Sequence, residues 1–556
     1  MHQKTANGLK GHTHDWNAIN WKEGNRIVKN LRYRIYRATE RGDYKKVRSL
    51  QKLMLRCRSN VLLSVRRITQ QNDGKNTSGI DKIVVKTSKE RFDLVKELAQ
   101  FTTWKAKPTR RVYIPKSNGK QRPLGIPVIK DRCIQAMVKN ALEPEWEAKF
   151  ESISYGFRPG RSCQDAIAKI FGFVGKRKFT KEWVVDADIK GAFDNISHEF
   201  LLTSVGNVPA KELIKQWLKA GYMEGKVLHS TDAGTPQGGI ISPLLANIAL
   251  HGMESALNIK HDIRGGTLGK RAVIRYADDF VVLCESKEDT QQVINILTNW
   301  LSIRGLKLSE EKTNVVNLFD GFNFLGFNIR RYKSRTSRKK CVTLIKPSKE
   351  AVQKLKDTLR KEWLSLRGHD IEDVIFRLNP IIRGWANYYR TQASSHTLSS
   401  LEHWMFYRQV RYVKRTHPNK PAKWTKEKYW GKLNKTRNDK WVFGNKSTGA
   451  YLLKFSWFNI KRHVLVKGKY SPDNPRLKKY WVERNKKQVI TLRPSKQIKA
   501  IKQEHLCPVC RESLYNGEAL WTHNIKHISK SNEDQISVLL HEACYQKTRF
   551  TFMQDQ

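Results

Sequence analysis

Two adjacent aspartates, Asp278 and Asp279, sit between the apolar runs Ala272-Val273-Ile274 and Phe280-Val281-Val282-Leu283. The flanks read as strands and the acids as the tip of the hairpin joining them. Taken alone, such a pair is most simply a turn, because Asp is a common turn residue. A second source of carboxylate lies upstream, where Trp183-Val184-Val185 leads into Asp186-Ala187-Asp188 before Gly191 breaks the run. Period-two alternation puts Asp186 and Asp188 on one face, so either can meet Asp278 across a sheet. Carboxylates gathered from separate strands are what a two-metal nucleotidyl transferase needs. They would hold two Mg²⁺ about 3.5–4 Å apart, for an attacking hydroxyl and a leaving phosphate.

A different chemistry is written near the C-terminus. Cys507-Pro508-Val509-Cys510 and His541-Glu542-Ala543-Cys544 are two chelating pairs, each with i,i+3 spacing. Such pairs converge on one tetrahedral Zn²⁺, here a structural site of Cys507, Cys510, His541 and Cys544. A module this small needs a metal staple. The other cysteines (Cys57, Cys133, Cys163, Cys284, Cys341) are scattered singly and read as reduced thiols, mostly buried, not as a disulfide framework.

The elements that must position these residues differ along the chain. The 556 residues suffice for several domains, and 39% hydrophobic content suffices for their cores. Residues 25–69 are basic with helical spacing at Leu50, Leu53, Met54, Leu55, Val61, Leu62 and Val65, and residues 72–79 read as a loop. From Arg111 to Phe327 strand-like and helical runs alternate, as in a mixed α/β or α+β domain. After Lys346 the pattern turns helical: Val352, Leu355, Leu359, Trp363 and Leu366 share a face, with Ser348 as N-cap and Gly368 as stop.

Charge names the class of partner. Lys plus Arg number 105 against 51 Asp plus Glu, a formal charge of +54. An imbalance this large repels itself in a compact chain and is best explained by a polyanion whose counterions are released on binding. Aromatic and basic residues also mix, as in Trp385-Ala386-Asn387-Tyr388-Tyr389-Arg390, which suits base stacking beside phosphate contact. No apolar run reaches membrane-spanning length and residues 1–20 lack a signal-peptide core. The expectation is an intracellular protein, not secreted and not in a membrane.

The acids lie inside longer blocks. Tyr276-Ala277-Asp278-Asp279 resembles the hallmark box of reverse transcriptases, and Asp188 with Phe193 resembles their other metal-binding motif. The segments 111–116 and 119–127 resemble the fingers hairpin. Ser154-Tyr155-Gly156-Phe157-Arg158-Pro159-Gly160-Arg161-Ser162 resembles the next block, and residues 234–245, with Gln237, resemble the block under the incoming nucleotide. Residues 308–313 and 321–327 resemble the last two, in the family's order. Within the family, Leu378–Arg390 and His417-Pro418-Asn419-Lys420, with Trp424 and Tyr429, look like group II intron-encoded proteins, as do residues 53–67 and 77–81. The resemblance covers nearly the whole chain.

The resemblance implies roles. Asp188, Asp278 and Asp279 hold the metals, with the backbone carbonyl of Ile189 as a further ligand. Lys116 and Arg122 neutralise the incoming triphosphate, Gln237 contacts the nucleotide sugar and template pair, and Phe193 gates against a ribose 2′-hydroxyl. Lys312 protonates the leaving pyrophosphate. It also implies a multidomain α+β fold: right-hand polymerase fingers and palm, then a helical thumb, then a small zinc-stapled C-terminal module. The expected units are 1–95 (an RNA-binding extension and the start of the fingers), 96–345 (fingers and palm) and 346–432 (thumb, or maturase domain X). Residues 433–500 follow as a basic DNA-binding region and 501–556 as an HNH-like zinc module.

Such proteins bind their own group II intron RNA, assist its splicing, and copy it from dNTPs into DNA at a target site, in a bacterial cytoplasm or nucleoid or in an organelle. The C-terminal module departs from the family's nuclease pattern. His523-Asn524 stands where two histidines are usual, Gln535 where an Asn is usual, and Tyr545 where a histidine is usual. His523, with His527, is what remains of that site, so the module is expected to bind DNA more than to cleave it. A splicing-only maturase, an RNA-dependent RNA polymerase and a retron-type enzyme are the alternatives. The intact acids disfavour the first, Phe193 the second, and the thumb block with the zinc module the third.

Overall fold

The computed structural model describes residues 16–100, 104–115, 119, 121–175, 180–262, 267–335, 341–492, 494–515, 518–529, 532–542, 544–546 and 548. Lys116 falls outside them. The basic N-terminal stretch forms α1 (Trp21–Glu40), α2 (Tyr44–Leu55) and α3 (Arg58–Arg66). Side-chain caps start the first two: Asn20 accepts from the Glu23 N–H and Asp43 from the Lys46 N–H. Val28, Leu31 and Ile35 of α1 bury against Leu50 and Met54 of α2. The apolar stripe thus turns inward and leaves most of the lysines and arginines outside, with Arg32 and Arg66 turned in toward acids of later segments.

Next come β1 (Thr109–Pro115), β2 (Gln121–Ile126), α4 (Ile129–Lys149), α5 (Cys163–Val174) and β3 (Trp183–Ala187). They are followed by β4 (Tyr222–Glu224), β5 (Val227–His229), β6 (Ala272–Tyr276), β7 (Asp279–Cys284) and β8 (Asn314–Asn317). Among the described residues, one four-stranded sheet has the order β2-β1-β4-β5 and a second the order β8-β3-β7-β6. The second is antiparallel throughout and buried on both faces. Alternation divides its side chains. Val185, Val273 and Val282 enter the main core, whereas Val184, Ile274 and Val281 pack with Ile167 and Ile170 of α5.

The β6–β7 hairpin closes with a two-residue turn, Tyr276 pairing Asp279. Ala277, its first turn residue, is at φ +59°, a left-handed conformation alanine rarely adopts. Its surroundings enforce it. Tyr155 N–H donates to the Arg275 carbonyl (2.9 Å) and Arg275 N–H to the Ile153 carbonyl (3.0 Å). Gly156 then lies flat on the turn: a Cβ there would come within 2.3 Å of the Ala277 nitrogen. No side chain fits, so the glycine is required by contact, not by its own dihedral angles.

The strands β9 (Phe322–Phe324), β10 (Phe327–Lys333) and β11 (Cys341–Pro347) lead to α6 (Lys349–Ser365), α7 (Ile371–Tyr389) and α8 (Ser395–Thr416). Ser348 caps α6 as its sequence suggests, accepting from the Ala351 N–H, and Gly368 is left-handed just beyond the helix end. Leu355, Leu359, Trp363 and Leu366 are buried, with Val352 packed at the margin. This core runs on past residue 432 through Phe443, Leu452 and Phe455, because the aromatic residues after α8 fold back over the helices. The chain then returns to the palm. Asp165 accepts from His463 Nε2 (3.0 Å), the Val466 N–H (2.9 Å) and Arg484 Nη2 (2.9 Å). Arg32 of α1 grips Asp473 with two hydrogen bonds of 2.7 Å. The last hairpin is β12 (Leu520–Ser529) with β13 (Asn532–His541).

Two substitutions test this packing. Gly156→Ala should destabilise the chain by about 1–3 kcal/mol by overpacking the turn, read as a shift in the urea midpoint. Ile382→Ala, in the thumb core and wholly buried, should cost about 2–5 kcal/mol. Its thermal transition should fall while Asp165 and Arg32 keep their partners.

Candidate active site and zinc centre

The sheet register brings the predicted acids together. Asp186 pairs with Val281 and Ala187 with Phe280, so the chain leaving β3 carries Asp188 beside Asp279, with Asp278 at the turn. Burial, then the charges of Asp278 and Asp188, push the Asp279 carboxyl up to about 7. Asp279 opens onto the cleft, yet enough protein surrounds its carboxyl to make burial the leading cause. Asp278 is also raised, first by burial and further by Asp188. Of the two upstream acids, Asp188 is the one that acts on both. Asp186 is pushed up to about 7 by burial and by Asp188.

Cations answer this cluster only in part. Lys312 Nζ pairs with the Asp188 carboxylate, and its own pKa is raised mainly by that hydrogen bond. Arg122, exposed on β2, is close enough to favour the charged form of Asp278. The segment after Asp188 is stitched to residues 307–309: Lys190 N–H donates to the Lys307 carbonyl (3.0 Å) and Ser309 N–H to the Asp188 carbonyl (2.8 Å). The bonds of this bridge fall on residues 188 and 190, not on the carbonyl of Ile189.

Phe193 is half-buried, and the ring of Phe157 meets it edge-on at 6.2 Å between centroids and 82°. The Gln237 loop runs beneath. Thr235 N–H donates to the Phe193 carbonyl (2.6 Å), and Gly125 N–H of β2 donates to the Gln237 carbonyl (2.7 Å). The fingers hairpin is thereby fixed to the same floor. Gln237 Nε2 reaches Asp194 Oδ2 at 3.4 Å, a long contact.

One residue of the site escaped the sequence reading. Arg275 is wholly buried beneath the hairpin; its Nη1 donates to the Ala277 carbonyl (3.0 Å) and to Asn247 Oδ1 (3.1 Å). Asn247 Nδ2 in turn donates to the Gly156 carbonyl (2.8 Å). Burial lowers the guanidinium to about 10, opposed by Glu151. The signal was present: a charged residue inside the apolar run Ala272–Tyr276 belongs to a strand whose neighbours need a donor.

The four predicted zinc ligands also converge. Among the described residues, Cys507, Cys510, His541 and Cys544 place one ligand atom each within 4.8 Å of one another, and all four are buried. His541 Nε2–H donates to the Ser513 carbonyl (3.1 Å), which turns Nδ1 toward the sulfurs, 3.3 Å from Cys510 Sγ. A metal-binding histidine is commonly oriented this way, its other ring nitrogen donating to a carbonyl. His523 meets Tyr545 (5.7 Å between centroids), which stacks on Trp521 (5.4 Å, 9°). On β12, His523 pairs with Val538 and His527 with Asp534, so the two histidines stand about 13 Å apart along the strand. The side chains of His527 and Gln535 lie outside the described residues.

Comparison with known proteins agrees with this geometry. Residues 114–329 match the family "Reverse transcriptase (RNA-dependent DNA polymerase)", 16–98 the "N-terminal domain of reverse transcriptase", and 352–430 the "Group II intron, maturase-specific domain". The chain is 32% identical over 434 residues to the group II intron-encoded protein LtrA of Lactococcus lactis, covering 62% of this chain and 71% of that one. It is 31% identical over 326 residues to protein YkfC of Escherichia coli, covering 52% and 85%. Among solved structures, telomerase from Candida albicans aligns over 56% of this chain and 59% of its own, at 15% identity and a TM-score of 0.32. No helix among the described residues is long and apolar enough to cross a membrane. The chain belongs to the group II intron-encoded proteins, reverse transcriptases that carry a maturase domain.

Proposed function

We propose that Asp188, Asp278 and Asp279, with the backbone carbonyl of Ile189, hold two Mg²⁺ and that this chain copies its RNA template from dNTPs. The observation that carries this is the carboxylate cluster itself. Burial raises Asp278 and Asp279, the nearby charge of Asp188 raises both further, and Lys312 and Arg122 offset that only partly. An all-oxygen donor set with surplus negative charge fits a hard divalent cation. The bound pair supplies positive charge at the attacking 3′-hydroxyl and the leaving pyrophosphate.

The chain's own residues do the rest. Arg122, and Lys116 from the same hairpin, neutralise the triphosphate. Lys312, kept protonated by Asp188, is placed to give a proton to the pyrophosphate. Gln237 touches the nucleotide sugar and template pair on its glycine-bounded loop. Phe193 occupies the place of a ribose 2′-hydroxyl and so favours DNA synthesis.

Around this centre we assign the N-terminal helices and the thumb to group II intron RNA, residues 433–500 to target DNA, and the C-terminal module to a structural Zn²⁺. The buried Cys₃His cluster and the oriented His541 support the zinc. Tyr545 against His523 supports a module that grips DNA without cutting it.

Primer extension on an RNA template with Mg²⁺, beside an intron-splicing assay, tests the polymerase reading. Asp278→Ala should lower cDNA synthesis by at least about 10³-fold, as loss of a main electrostatic anchor of the transition state would, while splicing persists. A parent protein that makes no cDNA on any of several templates yet supports splicing would sink it. For the zinc, elemental analysis should find one Zn per parent chain and none in Cys510→Ser, with the protease sensitivity of residues after 500 rising in the variant.

A further inference from the structure

Phe157 combines features that do not belong to a simple turn. Its backbone is left-handed, at φ +59°, and the residue is half exposed (51%). Left-handed positions favour Gly or Asn, and a bulky aromatic there is a costly choice. An exposed phenylalanine gains little from burial in return. Its use must therefore lie in where the ring is held.

The flanking residues hold it on both sides. Gly156 is pressed against the Ala277 backbone of the acid-bearing hairpin, and its carbonyl accepts from Asn247. Arg158 is buried; it grips Glu147 with two hydrogen bonds (2.8 and 3.0 Å) and donates to the carbonyls of Glu151 (2.7 Å) and Ser154 (2.9 Å). Both neighbours are fixed, and the ring of Phe157 between them meets that of Phe193 edge to face. Phe193 packs one side of its ring at the margin of the main core, its carbonyl accepts from the Thr235 N–H, and Phe157 meets the ring edge.

We propose that Phe157 is a positioning residue for sugar selection. Its ring braces Phe193 so that a ribose 2′-hydroxyl cannot push the gate aside. This rests on the reading of Phe193 as the gate, and the experiment separates the two. Single-nucleotide incorporation of dCTP and CTP by the full-length protein gives kcat and KM for each. Phe157→Ala should reduce the dCTP preference roughly three- to tenfold, the range an edge-to-face aromatic pair supports. The change should come from a higher kcat/KM for CTP, with kcat for dCTP within about twofold. Phe157→Tyr, which keeps the ring, should behave like the parent.

Phe157→Gly covers the case in which the alanine variant folds poorly, because glycine tolerates the left-handed backbone; it too should lose preference. Parental preference in Phe157→Gly, with Phe193→Ala relaxed, would overturn the brace and leave the gate standing. Unchanged preference in Phe193→Ala would remove the gate and the brace together. An equal fall in kcat/KM for both nucleotides in Phe157→Gly would make the ring a general nucleic-acid contact and also overturn the proposal.

Discussion

Repulsion among three carboxylates governs the centre of this molecule. Asp278 and Asp279 ride one hairpin, and Asp188 comes alongside from the neighbouring strand. Left to itself the hairpin would move the acids apart or take up protons; Asp279 is raised to about 7 by burial first and then by the charges of Asp278 and Asp188. The fold resists it with rigid backbone. Gly156 blocks the turn from one side, the palm sheet from below, and Arg275 ties the Ala277 carbonyl to Asn247. The carboxylates are thereby fixed by the surrounding backbone, and groups fixed in this way need no reorganisation during a reaction.

The same hairpin is the hub to which other elements are referenced. The Gly156 segment carries Phe157 toward Phe193, and the backbone of Phe193 carries the loop that holds Gln237. That loop in turn fixes the fingers hairpin at Gly125. Groups far apart in the chain are therefore positioned through a few backbone hydrogen bonds and the close contact at Gly156. A small displacement at the turn would be passed on to Phe193, Gln237 and Gly125.

The basic outer units are joined to this hub by buried charge. Asp165 gathers His463 and Arg484, and Arg32 grips Asp473 together with Glu143. Arg66 meets Glu518 at 3.0 Å, tying the N-terminal helices to the C-terminal module. In a chain of +54, acids are scarce, and these are placed where segments meet. Removing one partner of such a buried pair strands the other, so the clasps specify one arrangement more than they add net stability.

Sequence by itself announced the candidate residues and the family blocks in their order. The acid pair between two apolar runs, the second acid source and the two chelating pairs were legible because strand alternation and i,i+3 spacing are local rules. The helical face of residues 352–366 was legible for the same reason. Tertiary structure decided what depends on distant contacts. It put Asp188, the acid the family resemblance named, beside Asp279 through the sheet register, where strand alternation left Asp186 and Asp188 both open. It extended the thumb core to Phe455, since the aromatics that complete it have no helical period to announce them. It also revealed Arg275 under the turn and Phe157 against Phe193: a buried cation and an exposed ring acquire meaning only from neighbours that the linear chain does not place beside them.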